Sequence, residues 1–159
     1  MRYAAIDIGS NAVRLLIADI IERENEIIFS KNTLLRVPLR LGDDAFIHRH
    51  ISEGKFESMV KTMSAFRNLM DVYRVTDYMA CATSAMRDAD NGPDVVAACK
   101  KAGIDIQIID GGVEAQIFYN VHSQTAMDRN KVYLYIDVGG GSTEISLFAN
   151  GDLVASRSF

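Results

Sequence analysis

Cysteine is scarce: Cys81 and Cys99 are the two in 159 residues, and they form neither a CxxC pair nor a group with metal-ligand neighbours in sequence. This argues against a thiolate metal site and predicts reduced, buried thiols in a cytoplasmic protein. Positive charge is also short. Lys and Arg number 17 against 21 Asp and Glu, a formal net charge of -4, so no overall field draws in a polyanion and no nucleic-acid polymer is expected as partner. Any anion must be held by a local site. No uncharged apolar run is long enough to cross a membrane, and Asp7 interrupts the N-terminal apolar stretch before a secretory core can form. No lysine follows the glycines as in a Walker A loop, and GxGxxG is absent, so a Rossmann dinucleotide site has no support.

What is present is a hydrophobic fraction of 48%, enough to bury a substantial core in one domain with the start of a second. Tyr3 to Ile8, Ala12 to Ile20 and Glu26 to Leu35 read as three strands of an antiparallel meander, joined at Gly9-Ser10-Asn11 and at a polar Glu22-Arg23-Glu24-Asn25 turn. From Ser52 to Arg74, Phe56, Met59, Val60, Met63, Phe66, Leu69, Met70 and Tyr73 recur at helical spacing. Ser52 is placed as the N-cap and Ile51 as a staple onto Phe56. Asp77 to Ala82 reads as a strand running into the polar stretch Thr83-Ser84-Ala85-Met86-Arg87, a position suited to ligands. His48-Arg49-His50 reads as an exposed loop.

A helix from Pro93 to Ala102, stopped by Gly103, is followed by a strand over Ile104 to Ile109. A third helix opens at Asp110-Gly111-Gly112 and runs to about Ser123, with Glu114 in its first turn, where the helix dipole favours an anion. A second meander comprises Lys131 to Val138, a turn at Gly139-Gly140-Gly141, Thr143 to Ala149, the hairpin signal Asn150-Gly151 and a last strand. This order predicts an α/β fold with a mixed sheet, divided into residues 1–125 and 126–159.

The two meanders share a pattern. Ile6-Asp7-Ile8-Gly9-Ser10-Asn11 and Ile136-Asp137-Val138-Gly139-Gly140-Gly141-Ser142-Thr143 each place an aspartate and a β-branched residue before glycine and small or hydroxylated residues. Glycine lets backbone amides approach an anion, and the hydroxyls of Ser10, Ser142 and Thr143 add donors. Asp7 and Asp137 would repel a phosphate directly, but each can hold hydrated Mg²⁺ that binds one, with Glu144 able to support the metal through water. Taken singly, each loop is also consistent with an ordinary hairpin; the repetition of the whole pattern favours a paired phosphate and metal clamp.

On these residues the chain resembles the exopolyphosphatase and guanosine-pentaphosphatase (Ppx/GppA) family of the actin-like ATPase superfamily. Leu39-Arg40-Leu41-Gly42, the run Ala82 to Ala89, and Asp110-Gly111-Gly112-Val113-Glu114-Ala115 match it further, while Val113 and Ala12 depart from its usual residues. The resemblance implies an actin-like, ribonuclease H-like domain with a mixed five-stranded sheet, plus the first hairpin of a second such domain. It implies Mg²⁺-dependent hydrolysis of terminal phosphoanhydrides in polyphosphate or guanosine pentaphosphate, in a cleft between two domains. Glu114 would be the general base and Arg87 the phosphate grip, with Gly9, Ser10, Asn11, Gly139, Gly140, Gly141, Ser142 and Thr143 around the phosphates. Family members continue well beyond this length, which predicts weak turnover for this stretch alone and pairing of its exposed edge in a homodimer. Two other readings stay open: an actin-like nucleotide-binding kinase or ATPase, and a module that binds phosphate without turnover.

Overall fold

The computed structural model describes residues 1–23, 26–114, 116–117, 128, 130–150 and 152–159. They divide into two compact units, Met1–Ile108 and Ile109–Phe159.

The first unit is built on β1 (Arg2–Ile8), β2 (Val13–Arg23), β3 (Glu26–Val37), β4 (Asp77–Ala82) and β5 (Gln107–Ile108), in the sheet order β3-β2-β1-β4-β5. β1 is antiparallel to β2 but parallel to β4, so the sheet is mixed, as expected. Alternation sets its faces. Ile6 and Ile8 pair with Leu15 and Val13 on one side and with Ala80 and Ala82 on the other, all buried. Met59, Met63, Phe66 and Met70 of α2 (Glu53–Val72) belong to the same core, the helical stripe that the apolar spacing predicted. Each such side chain fully removed from water contributes about 1.5–3 kcal/mol before entropy is counted. An aspartate at Leu15 would bury an unpaired charge among them.

The structure corrects or refines several expectations. Ser52 is the N-cap residue of α2, yet its hydroxyl makes no cap bond. Its backbone N–H instead donates to Asp44 Oδ2 at 3.0 Å, so a carboxylate from a neighbouring helix organises the entry. Sequence reading assigned no helix to α1 (Leu41–His48), which takes in His48 of the expected exposed loop while Arg49 and His50 remain exposed and non-helical, nor to α3 (Ser84–Asp88) in the polar stretch after β4. Both are too short to form alone and are held by burying Leu41, Gly42 and Ala45, and Ser84, Ala85 and Met86. The strand expected over Ile104 to Ile109 pairs with β4 only at Gln107 and Ile108. Ile104 is taken up in closing α4 (Gly92–Lys101), its N–H donating to Cys99 O at 3.1 Å.

In the second unit, residues 111–114 and 116–117 are helical, and the rest of the helix expected to Ser123 lies outside the described residues. Of the turn expected over Glu22 to Asn25, Glu22 and Arg23 instead extend β2, paired with Ile27 and Glu26, while the rest of it and Gly151 lie outside the described residues. β6 (Val132–Val138), β7 (Thr143–Ala149) and β8 (Asp152–Ser158) form an antiparallel sheet in sequence order. Asn150 takes the left-handed conformation, φ 56, that an Asn-Gly turn requires. Among the described residues no helix is long and apolar enough to cross a membrane.

Candidate active site: two glycine turns

The turn after β1 has three of its four carbonyls occupied and three of its four amides open. Ile8 O accepts from Thr83 N–H at 3.2 Å, Ser10 O from Gly42 N–H at 2.9 Å, Asn11 O from Arg40 N–H at 3.0 Å, and Ala12 O from Gly9 N–H at 3.1 Å. Among the described residues, the N–H groups of Ser10, Asn11 and Ala12 donate to no protein acceptor. Backbone donors normally find partners, so a run of open amides at a glycine turn is a surface suited to an anion.

The turn after β6 repeats the closure and the open amides, though not, among the described residues, the carbonyl contacts. Ile8 pairs with Val13 and Val138 with Thr143, leaving four residues in each turn. Gly139 N–H closes on Ser142 O at 2.9 Å, as Gly9 closes on Ala12 O. The N–H groups of Gly140, Gly141 and Ser142 likewise donate to no protein acceptor among the described residues. A Cβ at Gly139 would sit 3.2 Å from Ser142 O, a tight approach that the turn would have to relax slightly, whereas at Gly9 the same test gives an ordinary 3.4 Å contact.

The side chains around the turns differ. Asp7 lies opposite Arg14 across the strands and accepts from its Nη1 at 2.7 Å, both half exposed. Asp137 lies opposite Glu144, so the second turn presents two carboxylates on one face, Glu144 buried and Asp137 exposed. Tyr135 shares that face, and burial together with the Asp137 charge raises its pKa. Among the described residues no three His, Cys, Asp or Glu side chains converge. A carboxylate pair such as Asp137 and Glu144 fits an ion like Mg²⁺, which binds through one or two carboxylates and keeps waters and substrate oxygens as its other ligands.

Ser10 is buried, and its Oγ lies 3.0 Å from Ser84 Oγ at the start of α3. Two hydroxyls hold two protons and share one, so this pair ties the turn to α3 while leaving one proton for another acceptor. Arg87, on the same short helix, donates its backbone N–H to Thr83 O at 3.1 Å. Its Nε stands 3.9 Å from Asp88 Oδ1, a loose, part-exposed contact that contributes little. Glu114 is in the first helical turn of the second unit, its N–H bonded to Asp110 O at 3.0 Å. Asp110 Oδ1 accepts from Val113 N–H at 2.9 Å, a side-chain N-cap that sequence reading had not assigned. The expected site residues thus fall into two sets: Asp7, Gly9, Ser10, Asn11 and Arg87 in the first unit, and Glu114, Asp137, Gly139 to Thr143 and Glu144 in the second.

The chain matches the Ppx/GppA phosphatase family over residues 17–159. It belongs to that family. It is 35% identical over 150 residues to the bifunctional 3-dehydroquinate synthase/phosphatase of Fusobacterium nucleatum, covering 91% of this chain and 22% of that protein. It is 30% identical over 148 residues to exopolyphosphatase 1 of Mycobacterium bovis, covering 92% of this chain and 42% of that one. The chain therefore spans less than half the length of these relatives. Among solved structures it is similar to an exopolyphosphatase from Cytophaga hutchinsonii, with TM-score 0.87 and 28% identity over all of this chain and 50% of that one. The Aquifex aeolicus Ppx/GppA family member gives 0.83 and 26%, over all of this chain and 51% of that one. Its actin-like architecture is thereby established.

Sequence reading had matched Arg40 and Gly42 to the Ppx/GppA pattern without giving them a task. Their amides hold the carbonyls of the first turn, and Ser84 anchors it from the other side. The signal was present in Leu39-Arg40-Leu41-Gly42, but its meaning depends on a fold that brings it beside residues some thirty positions earlier.

Proposed function

We propose that this protein hydrolyses terminal phosphoanhydride bonds of inorganic polyphosphate, of guanosine pentaphosphate, or of both. The observation that supports it is the pair of turns, alike in register and closure, each with three amide N–H groups open to an anion. Exopolyphosphatases among its relatives point to the same chemistry. In this reading both turns serve one phosphate chain, with the domain boundary near residue 125.

Each residue then has a task. Glu114 orients a water and takes its proton as the oxygen attacks the terminal phosphorus. Arg87, the amides of Ser10 and Asn11, and those of Gly140, Gly141 and Ser142, with the hydroxyls of Ser142 and Thr143, neutralise charge on the equatorial oxygens. The bridging P–O bond breaks, and the shortened chain leaves with the electron pair. Asp7, Asp137 and Glu144 would hold Mg²⁺, which when bound would supply positive charge against the phosphate oxygens.

The test is Glu114→Gln in the full-length protein, with phosphate release measured from polyphosphate, guanosine pentaphosphate and ATP. Turnover is expected to fall by about 10²–10⁴ with chain affinity kept within a few fold. Near-normal turnover would end the assignment, and preference for ATP would favour a nucleotide-dependent kinase or ATPase instead.

A further inference from the structure

Beside the first turn, Asn11, Arg36, Pro38, Arg40 and Asp43 line an open pocket of about 420 Å³. That volume is within the range of small-ligand sites, about 300–1,000 Å³. Its charge is unusual for a protein with a net charge of -4. Among the described residues, neither the Arg36 nor the Arg40 guanidinium meets a carboxylate within ion-pair distance. Asp43 lines the same pocket but lies 3.9 Å from Lys55 Nζ.

Each of these arginines stands there at a local cost. Arg36 is directly opposite Arg14 across β2 and β3, and like charges in that position repel. Asp7 offsets Arg14 alone. Arg40 is the residue before α1 and adopts φ 51, ψ 50, a left-handed conformation uncommon for a residue with a Cβ. Its backbone is held from both ends. The N–H donates to Asn11 O at 3.0 Å, and the carbonyl accepts from Lys55 Nζ at 2.5 Å, which in turn bonds Asp44 Oδ1 at 2.7 Å. The backbone of Arg40 is therefore bonded to the phosphate turn itself.

We infer that Arg36 and Arg40 form an anion subsite, continuous with the first turn through Asn11, that binds phosphate units of the chain beyond the one being cleaved. This rests on the phosphatase reading above and deepens it. Paired guanidinium forks match phosphate oxygens, and the open, polar pocket accepts a flexible polyanion without selecting its end group. The same chemistry would receive the phosphates of a linear polyphosphate or those of a guanosine polyphosphate.

The experiment is calorimetric titration of the full chain and its Arg36→Gln, Arg40→Gln and doubly substituted variants with orthophosphate, long linear polyphosphate and guanosine pentaphosphate. Thermal unfolding of each variant serves as the check on folding. Each single variant should weaken polyphosphate binding about fivefold and the double variant more, with orthophosphate binding unchanged. The dependence of log affinity on log salt should lose roughly one unit of slope per arginine removed. Arg40→Lys, which keeps the charge, should recover part of the loss. Equal losses on both long ligands assign the subsite to phosphate; a loss confined to the nucleotide overturns the inference in favour of ribose or base recognition. Polyphosphate affinity unchanged in the double variant overturns it alone, whereas a parent that binds no phosphate chain removes the phosphatase reading as well.

Discussion

Replacing Ser84 by alanine tests whether the first turn is positioned by tertiary structure. Ser84 and Ser10 are 4% and 5% exposed, and their hydroxyl oxygens are 3.0 Å apart. A neutral hydrogen bond contributes about 0.5–1.5 kcal/mol net, but stranding a buried partner costs about 1–3 kcal/mol. Ser84→Ala leaves Ser10 Oγ in a site nearly closed to water, so about 1.5 kcal/mol is expected, and Ser10→Ala should cost the same from the other side. With both hydroxyls removed no group is stranded, and the double variant should cost about 1.5 kcal/mol rather than twice that. The coupling energy is then about 1–1.5 kcal/mol. For a unit of this size the single variants should melt about 6–10 °C lower. Urea unfolding followed by circular dichroism on all four proteins measures the cycle. Additivity within about 0.5 kcal/mol would refute the argument, since it would mean that the hydroxyls find water or other partners. Because α3 carries Arg87, Ser84→Ala should also weaken phosphate-chain binding by a few fold.

Three further outcomes follow from the packing and charges. A Cβ at Gly92 would lie 2.1 Å from Met86 O, a backbone atom that cannot swing aside, so Gly92→Ala should cost about 3 kcal/mol in urea unfolding; an unchanged midpoint would count against the described geometry. Burial raises the Asp44 carboxyl, but bonds from Lys55 and Ser52 outweigh it and bring its pKa down to about 2 from 3.8. Being depressed in the folded state, it contributes stability that is present above about pH 4 and lost as pH falls towards 2. Asp44→Asn should therefore cost about 1–2 kcal/mol at neutral pH and flatten the acid limb, leaving the share of Asp19, which Arg2 and Asn32 also hold at about 2. An acid limb as steep as the parent's would remove that account. Asp137→Asn should raise the Mg²⁺ concentration needed for turnover while leaving metal-free stability equal or higher, because Asp137 faces Glu144 as a like charge. Identical Mg²⁺ dependence in variant and parent would speak against the metal role.

Local pattern made much of the fold legible. α2 spans Glu53–Val72 within the expected Ser52 to Arg74, since a twenty-residue helix with a methionine and aromatic stripe shows its period clearly. β4 and β7 match their expected bounds because short apolar or alternating runs ended at clear polar breaks. The short helices were not legible. α1 is bracketed by left-handed Arg40 and Arg49 in place of the usual polar cap and glycine stop, and α3 has five residues, too few to show any period.

The same division runs through the site. The repeated Asp-x-Gly pattern marked both turns, because a tight turn with open amides demands small residues wherever it occurs. By itself the sequence determined the alternating strands, the long amphipathic helix, and the two glycine turns with their aspartates. These depend on neighbours within a few positions, where periodicity and backbone sterics act directly. The tertiary structure alone decided that Asp7 pairs with Arg14 while Asp137 faces Glu144, and that Ser84 closes on Ser10. It also decided that Arg36 and Arg40 stand together without carboxylate partners among the described residues. Each of these is set by strand register or by contact between distant segments, and a one-residue slip in pairing would turn every one of the strand-borne side chains to the opposite face.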